Sequence, residues 1–458
     1  MLFHSWHFAI FFIIVYSIYI PLRKTRFYLH WLLIASYFFY GWWNPLYLLI
    51  IGYSTVTNYL AVILMQKGQR KKLWFTLSTI NSLALLGFFK YAVFATDNLN
   101  ALFSLMGLPL SIPAPGILFP VGISFYTFQA MSYTIDFYRG KVERETSFIR
   151  FATFVSLFPR LVAGPIERAG NLLPQMAEKP KISTENITDG ISLFVVGLFK
   201  KVALADYLAL YVDQVYAAPD FFDGYSLMLA SFAFAWQIYF DFSGYTDMAR
   251  GIARMMGFNL MLNFNNPYLA TGLGDFWGRW HISLSSWFKD YLYIPLGGNR
   301  KGTFNTYRNM FITMVVSGLW HGAAWTFVIW GALHAVGRFF TRELERTELY
   351  REKVPKLVKQ IFVFIFVTFA WIFFRAESLG DAATIVKRIF TSGVADPKFP
   401  MIALFFCLSI WLYQFLFESR LKKLLQWTPL KIGIVCLMIL YLIMFTSSGN
   451  EGFIYLQF

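Results

Sequence analysis

The sequence has little charge and almost no cysteine. Charged residues make up 14% of the chain, against roughly 25% in a soluble domain. Hydrophobic residues make up 57% and aromatic ones 20%, with 52 Phe. That balance excludes an ordinary soluble enzyme and indicates a polytopic membrane protein. The two cysteines, Cys407 and Cys436, lie in apolar segments with no CxxC spacing, which argues against a disulfide framework and against a thiolate metal site. The N-terminus, MLFHSWHFAIFFIIVYSIYIPLRK, lacks a basic leader and a small-residue cleavage site. It reads as an uncleaved first span, not a signal peptide. There is no GxSxG, no Walker-A sequence and no HExxH, and no histidine is followed by Asp four or five positions later. Nucleophile-elbow hydrolysis, P-loop nucleotide chemistry, zinc proteolysis and soluble HxxxD-type acyl transfer therefore have no motif here. No metal is expected, because no carboxylate is spaced suggestively around the histidines.

What the chain does have is basic residues in short clusters. The net charge is +15, yet the Lys and Arg lie between apolar runs, the pattern of cytoplasmic loops facing anionic lipid headgroups. Nucleic acid is not the expected partner; membrane lipid is. The chain reads as one all-α integral-membrane domain, 1–458, with N-terminal spans in 1–146, a core in 147–337 and C-terminal spans in 338–458. Spans are expected at 8–22, at two places within 27–66 divided by Asn44-Pro45, and at 73–95, 118–138, 191–212 and 226–246. The uncharged stretch 311–337 and segments 360–374, 401–417 and 432–446 bring the total to about eleven. Placing the clusters at Arg23–Arg26, Lys67–Lys72, Arg139–Arg144, Arg338–Lys359 and Arg420–Lys431 inside puts both termini in the periplasm. Uncharged, Pro-rich Leu108–Pro120 reads as interfacial or re-entrant. Pro159, Gly164 and Pro165 break another apolar run, which is tolerated at membrane depth where protein or a cavity covers the backbone.

The stretch 275–337 holds three of the six histidines. As one helix, 311–337 would run about 40 Å, beyond the roughly 30 Å hydrocarbon core. Gly318 and Gly322 flank Trp320-His321 and suggest a break at the histidine. An ionisable group at that depth is a functional candidate, since burial is costly unless it lines a cavity or has a partner. Burial also keeps imidazole neutral and able to accept a proton. The structural alternative is a core histidine bonded to a carbonyl. His334 lies about 220° further round a straight helix, so it is expected to face elsewhere and to be structural. Trp277, Trp280, His281, Leu284, Trp287, Phe288 and Tyr291 recur at helical spacing, which puts His281 on the aromatic face of an amphipathic helix. An interfacial helix with Trp anchors is the plainer account of that pattern.

The segments WGRWHISLSSWFKDYLYIPLGGNR, SGLWHGAAWTFVIWGALH, QIYFDFSGYTDMARG, FPVGISFYTFQAMSYTIDFYRG and FPRLVAGPIERAGNLLPQ resemble the membrane-bound O-acyltransferase family. The likeness is to its bacterial branch, which acetylates alginate, peptidoglycan and cellulose, and the terminal FIYLQF shares it. The resemblance implies a ring of spans around a thinned centre with a tunnel. It makes His321 the principal catalytic histidine and His281 the second. The acyl donor would be a cytoplasmic thioester, acetyl-CoA, with no bound cofactor. The acceptor would be a periplasmic acetyltransferase partner protein that passes the group to an extracellular polysaccharide. His321 would act as general base or form an acyl-imidazole. His281 would stand close by, its N–H aimed at the developing oxyanion. Trp277, Trp280, Trp320 and Trp325 would wall out water. Asp241, Ser243 and Tyr245 would line the tunnel or bond helix to helix. D-alanyl transfer to an envelope polymer, a transporter and a scaffold without chemistry are the alternatives. The bacterial inner membrane is the expected location.

Overall fold

The computed structural model of the protein describes residues 1–68, 70–116, 119–425 and 427–445. Among these, every regular element is helical. The terminal FIYLQF lies outside the described residues. Contacts divide the chain into two compact units, Met1–Phe194 with Met248–Met261, and Val195–Asp247 with Leu262–Phe458. Residues 147–337 thus contribute to both.

The first unit holds α1 (Trp6–Leu22), α2 (Tyr28–Gly41), α3 (Tyr47–Lys67), α4 (Lys71–Leu105), α5 (Ile123–Tyr138), α6 (Phe148–Ser156), α7 (Ala169–Ala177) and most of α8 (Thr184–Leu198). The expected hairpin at Asn44-Pro45 forms: Leu46 N donates to Asn44 Oδ1 at 3.0 Å, turning α2 into α3. Asn58 on α3 is a buried polar clamp. It donates to Ser82 on α4 at 3.3 Å and accepts from Ser78 on α4 at 3.2 Å and Thr134 on α5 at 2.9 Å. Such side chains join helices where water is absent. The apolar run broken by Pro159 and Gly164 leaves the helix after α6 and turns on itself. A Cβ on Gly164 would come 2.3 Å from the Arg160 Cα, so only glycine fits that turn.

The second unit begins at Val195, near the end of α8. The span expected at 191–212 is not one uniform helix: a π-helical turn, Phe199–Ala205, separates α8 from α9 (Asp206–Tyr216). The wider turn carries Lys201, whose Nζ meets Asp206 at 2.8 Å and Asp241 at 2.7 Å. Asp241 sits on α10 (Gly224–Met255), which is longer than the span expected at 226–246. Next come α11 (Leu273–Arg279), α12 (Ile282–Phe288), α13 (Gly302–His321), α14 (Trp325–Leu344) and α15 (Lys356–Arg375). The unit closes with α16 (Leu379–Thr391), α17 (Met401–Glu418), α18 (Lys422–Leu425) and α19 (Thr428–Phe445). The stretch 311–337 is an antiparallel pair, α13 and α14, reversed across Gly322–Ala324 directly after His321. Small residues let the two backbones touch: a Cβ on Gly318 would lie 2.1 Å from the Phe327 carbonyl oxygen, and one on Gly331 would lie 2.4 Å from that of Met314.

Among the described residues, α3, α4, α15, α17 and α19 are the five helices long and apolar enough to cross a membrane, with α1 shorter. Their outward faces carry exposed Ile, Leu and Phe, such as Leu49, Ile80, Ile365, Phe405 and Ile443. Water would penalise such a surface, whereas hydrocarbon would not.

Candidate active site

His281 does not lie within a continuous amphipathic helix. The chain leaves α11 at Trp280, and His281 takes φ +43°, ψ +53° before α12 begins. That left-handed conformation is uncommon for a residue with a side chain and is kept where surrounding contacts fix it. Asn263 supplies those contacts. Its carbonyl accepts from Ile282 N at 2.9 Å, and its Oδ1 accepts from Ser283 N at 3.1 Å and Ser283 Oγ at 3.0 Å. Nothing in the local sequence marks Asn263, because its role depends on a strand of coil being laid against the turn. The bend swings the His281 ring inward, where it is fully buried.

His321 ends α13 and is 4% exposed. The two imidazoles are neighbours, with ring centroids 6.3 Å apart. Trp320 lies 6.1 Å from His281 and 5.1 Å from His321. Phe242 of α10 meets His281 edge-on at 4.6 Å. Trp330 and Phe374 meet His321 edge-on at 5.2 and 5.3 Å. Such packing places the pair in a low-dielectric space, where a hydrogen bond or a developing charge counts for more than in water. Phe374 and Trp371 come from α15, which the sequence marks only as a span.

The other expected residues are placed differently from one another. Trp280 is 1% exposed and packs on Phe264, Phe276 and Trp371 at 5.1, 5.6 and 5.1 Å. Trp277 meets Trp330 at 5.7 Å. Trp325 is the most exposed of the four expected wall residues: the reversal after His321 makes it the first residue of α14, and it is 53% exposed. Asp241 is held in the Lys201 ion triad instead of facing an open channel. Ser243 and Tyr245 are buried on the same helix. The expectation for His334 also needs correcting. It assumed one straight helix, whereas the reversal at Gly322 packs Trp330 of α14 edge-on to His321 at 5.2 Å, and His334, one turn further along α14, lies against that same indole at 4.8 Å.

A cavity of about 730 Å³ opens in this unit. Lys289, Arg300, Arg338 and Arg342 border it, and none of the residues around it is Asp or Glu. From α13 it is lined by Met310, Thr313, Met314 and Ser317, one face of the helix that carries His321. Ser317 precedes His321 by one turn. Trp277 is the predicted wall residue that borders the cavity; Asp241, Ser243 and Tyr245 do not. Among the described residues no group of three His, Cys, Asp or Glu is arranged to hold a metal ion.

Comparison with known proteins agrees with the motifs. Residues 65–379 match the membrane-bound O-acyltransferase family. The protein named "Probable alginate O-acetylase AlgI" of Pseudomonas putida is 44% identical over 79% of this chain and 74% of its own length. The "Peptidoglycan O-acetyltransferase" of Helicobacter pylori is 37% identical over 78% of this chain and 72% of its own. The "Teichoic acid D-alanyltransferase" of Bacillus subtilis is 28% identical over 49% of this chain and 59% of its own. With two histidines side by side in a buried aromatic site, and a family match over residues 65–379, the chain belongs to the membrane-bound O-acyltransferase family and is an O-acyltransferase.

Proposed function

We propose that the protein takes an acetyl group from acetyl-CoA on the cytoplasmic side and passes it at the His281–His321 pair to a periplasmic acceptor. The final product would be an O-acetylated envelope polysaccharide of the alginate or peptidoglycan type. The observation that carries this reading is the cavity whose border is cationic and whose lining includes Ser317, one turn before His321 on the same helix. Four cations border it, of which Arg338 also pairs with Glu345 at 3.0 Å; such a cluster suits the phosphates of a coenzyme thioester. Arg338 and Arg342 belong to the charged segment of mixed sign expected on the inside, which would bring the donor in from the cytoplasm. Coenzyme A is too polar to cross a bilayer, which requires a centre reached from both faces. About eleven spans in a ring, with both termini periplasmic, would provide one.

In the reaction, the acceptor hydroxyl oxygen attacks the acetyl carbonyl carbon while the neutral His321 imidazole takes its proton. His281, as an N–H donor, stabilises the negative charge on the carbonyl oxygen. Collapse breaks the C–S bond, and the proton on His321 passes to the departing thiolate. The acceptor is a serine or similar hydroxyl on a periplasmic partner protein, which then modifies the polymer. The aromatic packing around the pair limits loss of the thioester to water.

The test is release of free thiol from acetyl-CoA by the purified protein. Slow hydrolysis that disappears with His321→Ala is the expected result. A protein that releases no thiol, or releases it equally well without His321, does not perform this reaction.

A further inference from the structure

Helix α14 presents Arg342, Arg338, His334 and Trp330 at intervals of four residues, hence along one inclined row in which each neighbours the next. The two arginines border the cavity. Trp330 sits edge-on to His321 at 5.2 Å. His334 is the step between them. Its imidazole is fully buried and enclosed by the rings of Phe276, Trp277, Trp330, Phe366 and Trp371, at 6.1, 5.1, 4.8, 5.8 and 6.3 Å. Among the described residues, neither of its ring nitrogens has a hydrogen-bond partner. Native chains keep few buried polar groups in that condition, and each calls for an explanation. Packing alone gives no reason for histidine here, since a phenylalanine would fill the same aromatic box without leaving polar atoms unmet.

One indole separates this imidazole from the cavity. Trp277 borders the cavity on one side and meets His334 and Trp330 on the other. From Arg338 to Trp330 is about 12 Å along the helix. A donor whose phosphates rest on the arginines must carry its flexible arm past Trp277 and His334 to bring the thioester to His321. That arm contains amide groups, which are costly to move between apolar walls unless something bonds them. Neutral imidazole offers one donor and one acceptor.

We infer that His334 is a donor-binding residue, whose ring nitrogens bond an amide of the pantetheine arm once Trp277 turns aside. The inference rests on the cavity being the entry of a coenzyme thioester. Histidine here meets the polar part of an otherwise greasy arm, and the rings around it fix its orientation.

Equilibrium binding of radiolabelled acetyl-CoA to the full-length protein in detergent tests the assignment, in a His321→Ala background so that bound donor is not consumed. His334→Phe keeps the ring packing and removes both nitrogens; His334→Gln keeps a donor and an acceptor. The expected result is affinity weakened about tenfold by Phe, the worth of one lost hydrogen bond, and restored by Gln to within about threefold of the parent. Unchanged affinity in a folded His334→Phe protein overturns the inference. So does equal weakening by both substitutions, or failure of both to fold, since each assigns His334 to packing. A parent that binds no acetyl-CoA refutes the donor reading itself, whereas a parent that binds and a His334→Phe protein that binds equally refute this inference alone.

Discussion

The second unit holds two buried clusters of ionisable groups, and they are built in opposite ways. Around Lys201, every charge meets its opposite. The ammonium lies 2.7 Å from Asp241 and 2.8 Å from Asp206, with its side chain 4% exposed. Around His281 and His321 the described neighbours are rings, from Phe242, Trp320, Trp330 and Phe374. A single ammonium set between two carboxylates ties the π-helical turn to α9 and α10. The two imidazoles instead sit in a chamber of packed rings that holds them in place by shape. Intramembrane polarity alone therefore does not mark the site; what surrounds the polar group decides.

The sharpest test of that contrast is His321→Ala. As general base its loss should lower acetyl transfer by about 10²–10⁴ while the protein keeps its melting temperature in detergent. Near-normal transfer would end the assignment, and complete loss would point to an acyl-imidazole. His281→Ala should cost about 10²–10³ in turnover as the loss of an oxyanion donor. His281→Gln, measured in the same assay, should recover part of it. Equal loss of folded protein with both substitutions would instead make His281 structural.

The Lys201 cluster should respond the other way. Lys201→Met leaves two carboxylates buried against each other, which should destabilise the protein by about 3–5 kcal/mol. The readout is thermal melting and the yield of folded protein, with the molecules that do fold retaining their turnover number. A stable but inactive Lys201→Met protein would erase the distinction drawn here. The smallest effect is expected at Asn263. Removing its side chain leaves Ser283 N–H without its acceptor, at a cost of about 1–3 kcal/mol, and loosens the turn that aims His281. In Asn263→Ala, kcat should fall more than the KM for the donor changes. An unchanged kcat would show that the α11–α12 turn holds itself.

The sequence was most informative where composition and period speak directly. The apolar run divided by Asn44-Pro45 became the α2–α3 hairpin, because a short polar side chain before proline stops one helix and starts the next. The glycine flanks of His321 located its break. Periodicity failed around His281: the aromatic spacing from Trp277 to Tyr291 suits one helix, but the backbone bends at the histidine to accept Asn263. It failed again at His334, where a straight-helix angle was applied across a reversal. Arg338 and Arg342, read as cytoplasmic charge, became the border of a cavity once α13 folded back against α14.

By itself the sequence determined that the chain is helical and apolar enough for a membrane, and that His281 and His321 stand in segments that resemble those of the family. These properties depend on residue type and short spacing, which no later folding step alters. The tertiary structure alone decided that the two histidines meet, that Trp325 is half-exposed while Trp330 and Phe374 pack on His321, and that Ser317 lines the cavity. Those facts depend on helix reversals and on contacts between residues far apart in the chain. Hydrophobic burial drives such contacts without direction, so which side chains meet is settled by how the backbones fit together.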